Sequence, residues 1–203
     1  MVTITEGIAK TQGDNRVEID ASISELFNII NHIQEILNIQ RQFVRGHGGN
    51  HERKPVNLVN IIDDCRSMLF ASIDKHGIQF KVDIRPGEYV IKGDHTKLTQ
   101  VILNILKNSI EAMHPGKADK LVTMNLHTNK EIIELKLTDN GQGFNKEVGG
   151  HLFERGFTTK KTGTGLGLYN CKSIVESHTG SFDIKSDGPG LGAITTIRFA
   201  VNS

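Results

Sequence analysis

The sequence predicts an α/β fold in which a two-layer α/β sandwich follows a long N-terminal helix. Two kinds of hydrophobic periodicity support this prediction: segments with apolar residues three and four positions apart, and short segments in which apolar and polar residues alternate. The helical and strand segments come in a mixed order, which favours helices packed on one face of a mostly antiparallel sheet. With 203 residues, the chain can bury one core of ordinary size.

The longest helical pattern covers residues 20–45. Its apolar stripe is formed by Ile23, Leu26, Phe27, Ile30, Ile33, Ile36, Leu37 and Phe43. Such a wide stripe needs a partner, which is a second helix, the rest of a bundle or a second copy of the chain. Several glycines and charges and Pro55 then break the pattern and predict a linker. We therefore expect a helix and linker over 1–48 and a separate domain over 49–203.

Capping and turn residues bound the elements of the second domain. Asn57 and Asp94 are the predicted N-caps of two helices, the first of which ends at Gly77. A third helix is predicted over 165–180, after a loop rich in Gly, Lys and Thr. Alternating patterns predict strands at 78–84, 87–93, 121–128, 131–139, 181–186 and 193–201. The third and fourth of these strands form a hairpin with its turn at 129–130.

Composition argues against several classes of function. The chain has 24 Lys and Arg against 23 Asp and Glu, so its net charge of +1 gives no global field that would attract nucleic acid or an anionic membrane surface. Cys65 and Cys171 lie far apart without a CxxC pattern, which favours reduced thiols in a cytoplasmic setting over a disulfide or a zinc site. No apolar run approaches the roughly 18 to 20 residues of a membrane span. We therefore expect a soluble chain, alone or as part of a longer protein.

Two asparagines share one face of the predicted helix that follows Asp94. Asn104 and Asn108 are four residues apart, and the residues around them have the pattern of a buried helix. Amide oxygens are suitable ligands for Mg²⁺, which takes one or two protein side chains together with waters and substrate phosphates. The alternative is that the two amides cap neighbouring turns or bond to each other, as buried amides usually do.

A second cluster consists of alternating glycines before the third helix. Gly163, Gly165 and Gly167 leave room for backbone N–H groups and the positive end of the helix to face a phosphate, with Lys160 and Lys161 in the approach to the turn. The spacing is not that of a P-loop, and the following segments do not form a βαβ unit. The alternative is a turn without a ligand.

The third cluster follows the fourth predicted strand. Asp139 ends an apolar strand and is followed by Gly141 and Gly143, which allow the close approach of a flat ligand. A carboxylate in a pocket accepts a hydrogen bond from the exocyclic amine of adenine, whereas guanine would place a carbonyl oxygen against it. On its own this stretch is equally well interpreted as a simple turn.

Taken together, in this order and at these separations, the clusters resemble the ATP-binding domain of sensor histidine kinases. That domain belongs to a superfamily that also includes Hsp90, MutL and the type II topoisomerases. "NILKNSIEA" is similar to the N box, "DNGQGF" to the first glycine box, "LFERGFTTKK" to the F box and "GTGLGL" to the second glycine box. The resemblance covers residues 56–200 and is typical of members with a very short lid. It implies the Bergerat type of ATP-binding fold.

The resemblance also implies a role for individual residues. Asn108 would hold Mg²⁺ with Asn104 as a possible second ligand, Lys160 would reach the terminal phosphate, and these three residues would form the catalytic set. Phe153 would help to anchor the lid. The residues implied in binding ATP are Asn108, Asp139, Gly141, Gly143, Phe144, Phe157, Thr158, Thr159, Lys160, Lys161, Gly163, Thr164, Gly165, Leu166, Gly167 and Leu168.

The sequence departs from the family pattern at two places. Many relatives have Lys or Arg one turn after the Mg²⁺ asparagine, where this chain has Glu111, so neutralisation of the phosphates would fall on Lys160 or Lys161. Relatives often have Gly-Ala-Thr at the last strand, where this chain has "GAIT". This difference leaves open whether Thr195 or Thr196 contacts the nucleotide.

The function implied by the resemblance is transfer of the ATP γ-phosphate to a histidine, followed by relay to an aspartate of a response regulator. His32 lies on the N-terminal helix, but it lacks the acidic neighbour and the later proline of an acceptor motif. The helix is instead similar to the second helix of the dimerisation and phosphotransfer hairpin, which implies a homodimer and an acceptor outside this chain. The alternative is a non-catalytic ATP-binding or partner-binding module that has lost its acceptor. An Hsp90-like or MutL-like ATPase fits less well, because no catalytic glutamate is evident beside the N box.

Overall fold

The computed structural model describes residues 53–129, 131–160 and 163–201. The chain divides into two units, 1–51 and 52–203, and all described residues belong to the second. The predicted N-terminal helix, including His32, lies outside the described residues.

The described elements are four helices and seven strands. The helices are α1 Leu58–Lys75, α2 His95–Glu111, α3 Lys146–His151 and α4 Gly167–Ser177. The strands are β1 Lys54–Asn57, β2 Gln79–Ile84, β3 Val90–Gly93, β4 Leu121–Thr128, β5 Ile132–Asp139, β6 Gly180–Lys185 and β7 Ala193–Ala200. Within the described residues, no helix is both long enough and apolar enough to cross a membrane.

The main sheet has five strands in the order β2-β4-β5-β7-β6. Only the β2–β4 pair is parallel, and the other three pairs are antiparallel. Every second residue of β4 and β5 is buried, because one face of these strands packs on helices α1, α2 and α4 in a single apolar core. The two-layer α/β sandwich predicted from the sequence is therefore confirmed.

Three elements differ from the sequence prediction. Residues 54–57 were assigned in part to a linker because of Pro55, but they form β1, which pairs antiparallel with β3 in a separate two-stranded sheet. Helix α3 lies inside the predicted Gly-, Lys- and Thr-rich loop and has no buried residue, so it lacks an apolar periodicity that could reveal it. Helix α4 begins at Gly167 rather than Gly165, because Gly165 has a φ of +66°.

Both predicted N-caps are confirmed. The Asn57 side chain accepts a hydrogen bond from the Val59 N–H, and the Asp94 side chain accepts one from the Lys97 N–H at 3.1 Å. Buried His178, directly after α4, accepts the Asp94 N–H at its Nε2 atom (3.0 Å). Its Nδ1 atom therefore carries the proton, which it donates to the Ile174 carbonyl at 2.7 Å. This histidine ties the end of α4 to the beginning of α2, the two helices that carry most of the candidate site.

Candidate functional site

Asp139 is a buried carboxylate at the end of β5, with 7% of its surface exposed. Its Oδ1 atom accepts a hydrogen bond from the Gly141 N–H at 2.9 Å, and its Oδ2 atom accepts one from the Ser109 hydroxyl at 3.0 Å. Burial raises the pKa of Asp139 above its ordinary value, and the hydrogen bonds from Gly141, Ser109 and the Ala193 N–H oppose this shift. An ionised carboxylate held in this way costs stability, which is common where the group binds a ligand.

The two glycines after Asp139 allow close packing of protein backbone. A Cβ atom on Gly141 would lie 2.7 Å from the carbonyl oxygen of Ala112, just beyond α2. Gly143 has a φ of +57°, and a Cβ atom there would collide with the Gly188 carbonyl oxygen. Packing alone therefore requires glycine at both positions, and direct contact of these glycines with a flat base stays a prediction.

Phe144 closes this segment against the loop before β7. Its N–H donates to the Ser186 hydroxyl at 3.1 Å, and the same hydroxyl donates to the Gly192 carbonyl at 2.6 Å. The Gly192 N–H in turn donates to the Gly141 carbonyl at 3.1 Å. The loop over 186–192 therefore fixes the backbone that follows Asp139.

Asn104 and Asn108 are half-buried on one face of α2, as predicted. They do not bond to each other: the Asn108 Oδ1 atom accepts a hydrogen bond from the Lys160 Nζ atom at 3.0 Å, and the Asn104 Nδ2 atom donates to the Cys171 Sγ atom at 3.4 Å. The Asn104 amide nitrogen therefore faces α4. The Asn108 oxygen faces residues 152–160, which were predicted to be the lid and are here called the lid segment.

Lys160 has two partners on α2. Besides the Asn108 amide oxygen, its ammonium contacts the Glu111 carboxylate in an ion pair of two half-exposed side chains. The Thr158 hydroxyl accepts a hydrogen bond from the Lys160 N–H at 3.1 Å and so shapes the approach to this lysine. Lys161, also predicted to contact ATP, lies outside the described residues.

The alternating glycines lie where the lid segment meets α4. A Cβ atom on Gly163 would collide with the Thr158 side chain, and one on Gly165 would collide with the Gly156 backbone. A Cβ atom on Gly167 would lie 2.8 Å from the Asn104 Nδ2 atom. A side chain at position 165 would require the backbone to move, whereas at positions 163 and 167 the neighbouring side chains of Thr158 and Asn104 would have to shift.

The start of α4 differs from the starts of the other helices. Side chains of Asn57, Asp94 and Asn145 cap α1, α2 and α3, whereas Leu166 at the N-cap of α4 makes no such bond. The Thr164 hydroxyl accepts only the N–H of Leu166 itself, at 3.4 Å. Within the described residues, which leave out 161 and 162, the first N–H groups of α4 therefore have no side-chain cap, which is the arrangement that suits a phosphate at a helix N-terminus. Thr164, Leu166 and Leu168 lie at the start of α4, and Thr159 lies shortly before it. Their contacts with ATP stay predictions.

Two phenylalanines of the predicted lid pack differently. The Phe153 ring meets Phe182 edge-on with centroids 5.6 Å apart, and the Lys172 Nζ atom lies 4.9 Å from its centroid. The Phe157 ring lies 5.5 Å from the His151 ring. Phe153 is thus held against the β6 strand, while Phe157 contacts α3 at the surface.

Strand register distinguishes the two threonines of the last strand. Thr195 is paired with Leu137 and Thr196 with Lys136, and paired residues of adjacent strands point to the same face of a sheet. Because Leu137 and Asp139 share the helix-covered face, Thr195 belongs to the face of the candidate site and Thr196 to the opposite face. Thr195 therefore lies on the same face of the sheet as Asp139, and contact of either threonine with a nucleotide stays a prediction.

Ser109 and Cys171 contact the candidate site but were not predicted. Ser109 is a polar residue at a position that the helical period places in the core, between buried Leu106 and Ile110, and that signal was present in the sequence. Burial raises the pKa of the Cys171 thiol to about 12, so the sulfur keeps its proton and faces the Val101 carbonyl at 3.9 Å. Nothing in the sequence alone pairs Cys171 with Asn104.

Replacing Cys171 tests whether this sulfur orients Asn104. Cys171→Ser keeps a small group that accepts from Asn104 and donates to Val101, whereas Cys171→Ala is of similar size but removes the acceptor. We expect the alanine variant to be less stable than the serine variant by about 1 kcal/mol and to bind the predicted ligand ATP several-fold more weakly, because the Asn104 amide loses its partner. Urea unfolding and nucleotide titration measure both effects. Equal ATP affinity in the two variants would contradict the orienting role.

Three features together define a nucleotide-binding α/β domain: the buried Asp139 carboxylate, the start of α4 without a side-chain cap, and the two amides on one face of α2. A family model described as "Histidine kinase-, DNA gyrase B-, and HSP90-like ATPase" matches residues 93–203. The chain belongs to this ATPase family.

Sensor kinases are among its relatives. The sensor protein FixL of Bradyrhizobium diazoefficiens is 32% identical over 167 residues, which cover 82% of this chain and 32% of the relative. Sporulation kinase A of Bacillus subtilis is 28% identical over 190 residues, which cover 93% of this chain and 30% of the relative. This chain therefore spans about a third of the length of these curated relatives.

Solved structures agree with the sequence relatives. The mycobacterial sensor histidine kinase MprB matches with a TM-score of 0.63 and 26% identity, covering 74% of this chain and 98% of that one. The catalytic domain of histidine kinase ThkA has the same fold, with a TM-score of 0.67 and 22% identity over 75% of this chain and 99% of that one. The resemblance inferred from the four motifs is confirmed.

Proposed function

We propose that this chain is the catalytic, ATP-binding part of a sensor histidine kinase. It binds Mg-ATP and transfers the γ-phosphate to a histidine outside the chain, for relay to an aspartate of a response regulator. The proposal includes a cytoplasmic location and a homodimer formed through the N-terminal helix and a partner helix. A complex of ThkA with the response regulator protein TrrA supports the kind of partner, since that kinase has the same fold.

One observation carries the proposal: two consecutive residues of α2 contact the two ends of the site. Ser109 donates to the Asp139 carboxylate at 3.0 Å, while Asn108 accepts from Lys160 at 3.0 Å. Both contacts start from the same helix, so α2 sets where the carboxylate and the lysine lie relative to each other. This arrangement supports a single ligand with an amine-bearing base at one end and phosphates at the other.

The residues would divide the work of phosphoryl transfer. Asp139 accepts a hydrogen bond from the exocyclic amine of adenine and rejects guanine, whose oxygen would face the carboxylate. The N–H groups at the start of α4 and the Lys160 ammonium neutralise the phosphates. Phosphoryl transfer proceeds through a loose transition state, so these residues act mainly by position and charge.

Magnesium fits the donor set around α2. Asn108 offers a half-buried amide oxygen, and Asn104 lies one turn earlier on the same face. No group of three or more His, Cys, Asp or Glu in residues 53–129, 131–160 and 163–201 could hold a metal by itself. An ion that takes most of its ligands from waters and phosphates matches this sparse set, and when bound it would offset charge on the phosphates.

The decisive test is incubation of the chain with γ-labelled ATP and Mg²⁺, alone and with a separately purified fragment that carries an acceptor helix. We expect nucleotide binding in both cases and label on the acceptor fragment only. Absence of nucleotide binding would refute the proposal. Label on His32 would refute the assignment of the acceptor, and binding without transfer to any acceptor would favour the non-catalytic module.

A further inference from the structure

The carboxylate of Glu111 lies at the end of α2, one turn after Asn108. Its Oε2 atom pairs with the Lys160 ammonium, and its Oε1 atom lies 3.8 Å from the Lys107 ammonium. The Lys160 ammonium donates at the same time to the Asn108 Oδ1 atom at 3.0 Å. One lysine from the lid segment thus joins the expected Mg²⁺ ligand and an acidic residue one turn further along α2.

Two uses of the Asn108 oxygen exclude each other. The proposed function gives this oxygen to Mg²⁺ and gives Lys160 to the terminal phosphate. If Mg²⁺ and the ammonium both contacted Asn108 Oδ1, two cations would lie a few ångströms apart, where like charges repel. The lysine therefore has to leave Asn108 when the metal binds, and Glu111 is the group that holds it there.

We infer that Glu111 is a positioning residue: it holds the Lys160 ammonium on the Asn108 oxygen and thereby sets how much Mg²⁺ is needed to bind ATP. The inference rests on the proposed function, since it requires an Mg-ATP site at Asn108. Both partners of the ion pair are 38% exposed, so solvent screens the pair and its effect is modest. We expect its removal to change the Mg²⁺ requirement by about two- to fivefold, the range of a partly screened pair.

A direct electrostatic effect of Glu111 is the competing explanation. A carboxylate beside the phosphates would repel them whether or not Lys160 is present. Removing Glu111 would then favour ATP binding in any background. If Glu111 acts through Lys160, its removal has an effect only while the lysine is there, and a double-mutant cycle separates these cases.

The experiment measures the Mg²⁺ concentration that gives half-maximal binding of a fluorescent ATP analogue. Four proteins are compared in the full chain: wild type, Glu111→Gln, Lys160→Met and the double variant. Glu111→Gln is expected to lower that Mg²⁺ concentration two- to fivefold, and to leave it unchanged in the Lys160→Met background. Glu131→Gln, an exposed glutamate next to the β4–β5 turn, is the matched control and is expected to behave as wild type.

Each outcome has one consequence. An unchanged Mg²⁺ requirement in Glu111→Gln would overturn the inference, and so would a shift of equal size in the Lys160→Met background. A shift of equal size in the Glu131→Gln control would also overturn it, because the effect would then be general. No nucleotide binding by the wild-type chain would refute the proposed function itself, which is a different result from all of these.

Discussion

Asp139→Asn is expected to abolish detectable ATP binding while the domain stays folded. The carboxylate presents only acceptors, whereas asparagine must point either its oxygen or its NH₂ group at the base. Gly141 N–H needs an acceptor, and the Ser109 hydroxyl can rotate to accept from the new amide. The NH₂ group then replaces Oδ2, so the acceptor set that would meet the adenine amine is lost.

The size of this effect follows from the charge of the lost acceptor. A hydrogen bond to a charged group contributes about 1.5 to 3 kcal/mol, and a buried donor left facing another donor costs a similar amount. We therefore expect affinity to fall by about 100-fold or more, since each 1.4 kcal/mol is a factor of ten. Calorimetric titration with ATP measures the change, and Asp183→Asn on β6 is a control outside the site. Unchanged ATP affinity in Asp139→Asn would refute the role of Asp139.

The same substitution has a defined effect on stability. Because burial raises the pKa of Asp139 in the folded chain, the folded state binds this proton more tightly than the unfolded state. Its contribution to stability is fully present below the ordinary value of about 3.9 and is lost as pH rises through the raised folded value. Asp139→Asn should therefore gain stability relative to wild type as pH rises through that window. Urea unfolding at several pH values checks this, and a gain on acidification instead would contradict the cause given for the pKa shift.

Asn108→Ala is expected to remove the Mg²⁺ dependence of ATP binding and to reduce phosphotransfer to a supplied acceptor by at least about 100-fold. A metal at a transferring phosphate contributes several kcal/mol, and loss of its protein ligand forfeits much of this. Binding of ATP in the presence of a chelator should change little, because Asp139 and the start of α4 are untouched. Lys160 keeps its Glu111 partner in this variant, so the lid segment stays tethered.

A titration of ATP with and without Mg²⁺ distinguishes loss of the metal from loss of the nucleotide. Asn125→Ala, a substitution on β4 outside the site, is the matched control and should retain the full Mg²⁺ effect. If Asn108→Ala still responds to Mg²⁺ as wild type does, Asn108 is not the metal ligand. Asn104, one turn earlier on that face of the helix, would then be the next candidate.

Local sequence signals were sufficient for most of the fold. The caps at Asn57 and Asp94 depend on residues two and three positions away, and the β4–β5 hairpin depends on two adjacent alternating segments. Strand β1 was missed because it has one buried residue, Val56, and exists through pairing with β3. Pro55 lies on an edge strand, where proline is tolerated, but a prediction from neighbouring residues alone treats proline as the end of an element.

The candidate site also divides into a part that the sequence predicts and a part that only the structure shows. The sequence predicted the residue types and their spacing, because Asn104 and Asn108 share a face by helical geometry and Asp139 ends its strand by alternation. The glycines were also predicted, but as positions that a ligand approaches closely. In the structure, protein backbone or side chains lie beside Gly141, Gly143 and Gly167.

The sequence by itself therefore determined the α/β class, the element order and the family, since these depend on periodicity, caps and motifs within short segments. The tertiary structure decided which side chains meet. Ser109 reaches Asp139 across 30 residues of chain, Lys160 reaches Glu111 across 49, and Asn104 reaches Cys171 across 67. Contacts at such separations depend on how α2 packs against β5, α4 and the lid segment, and no local propensity encodes that packing.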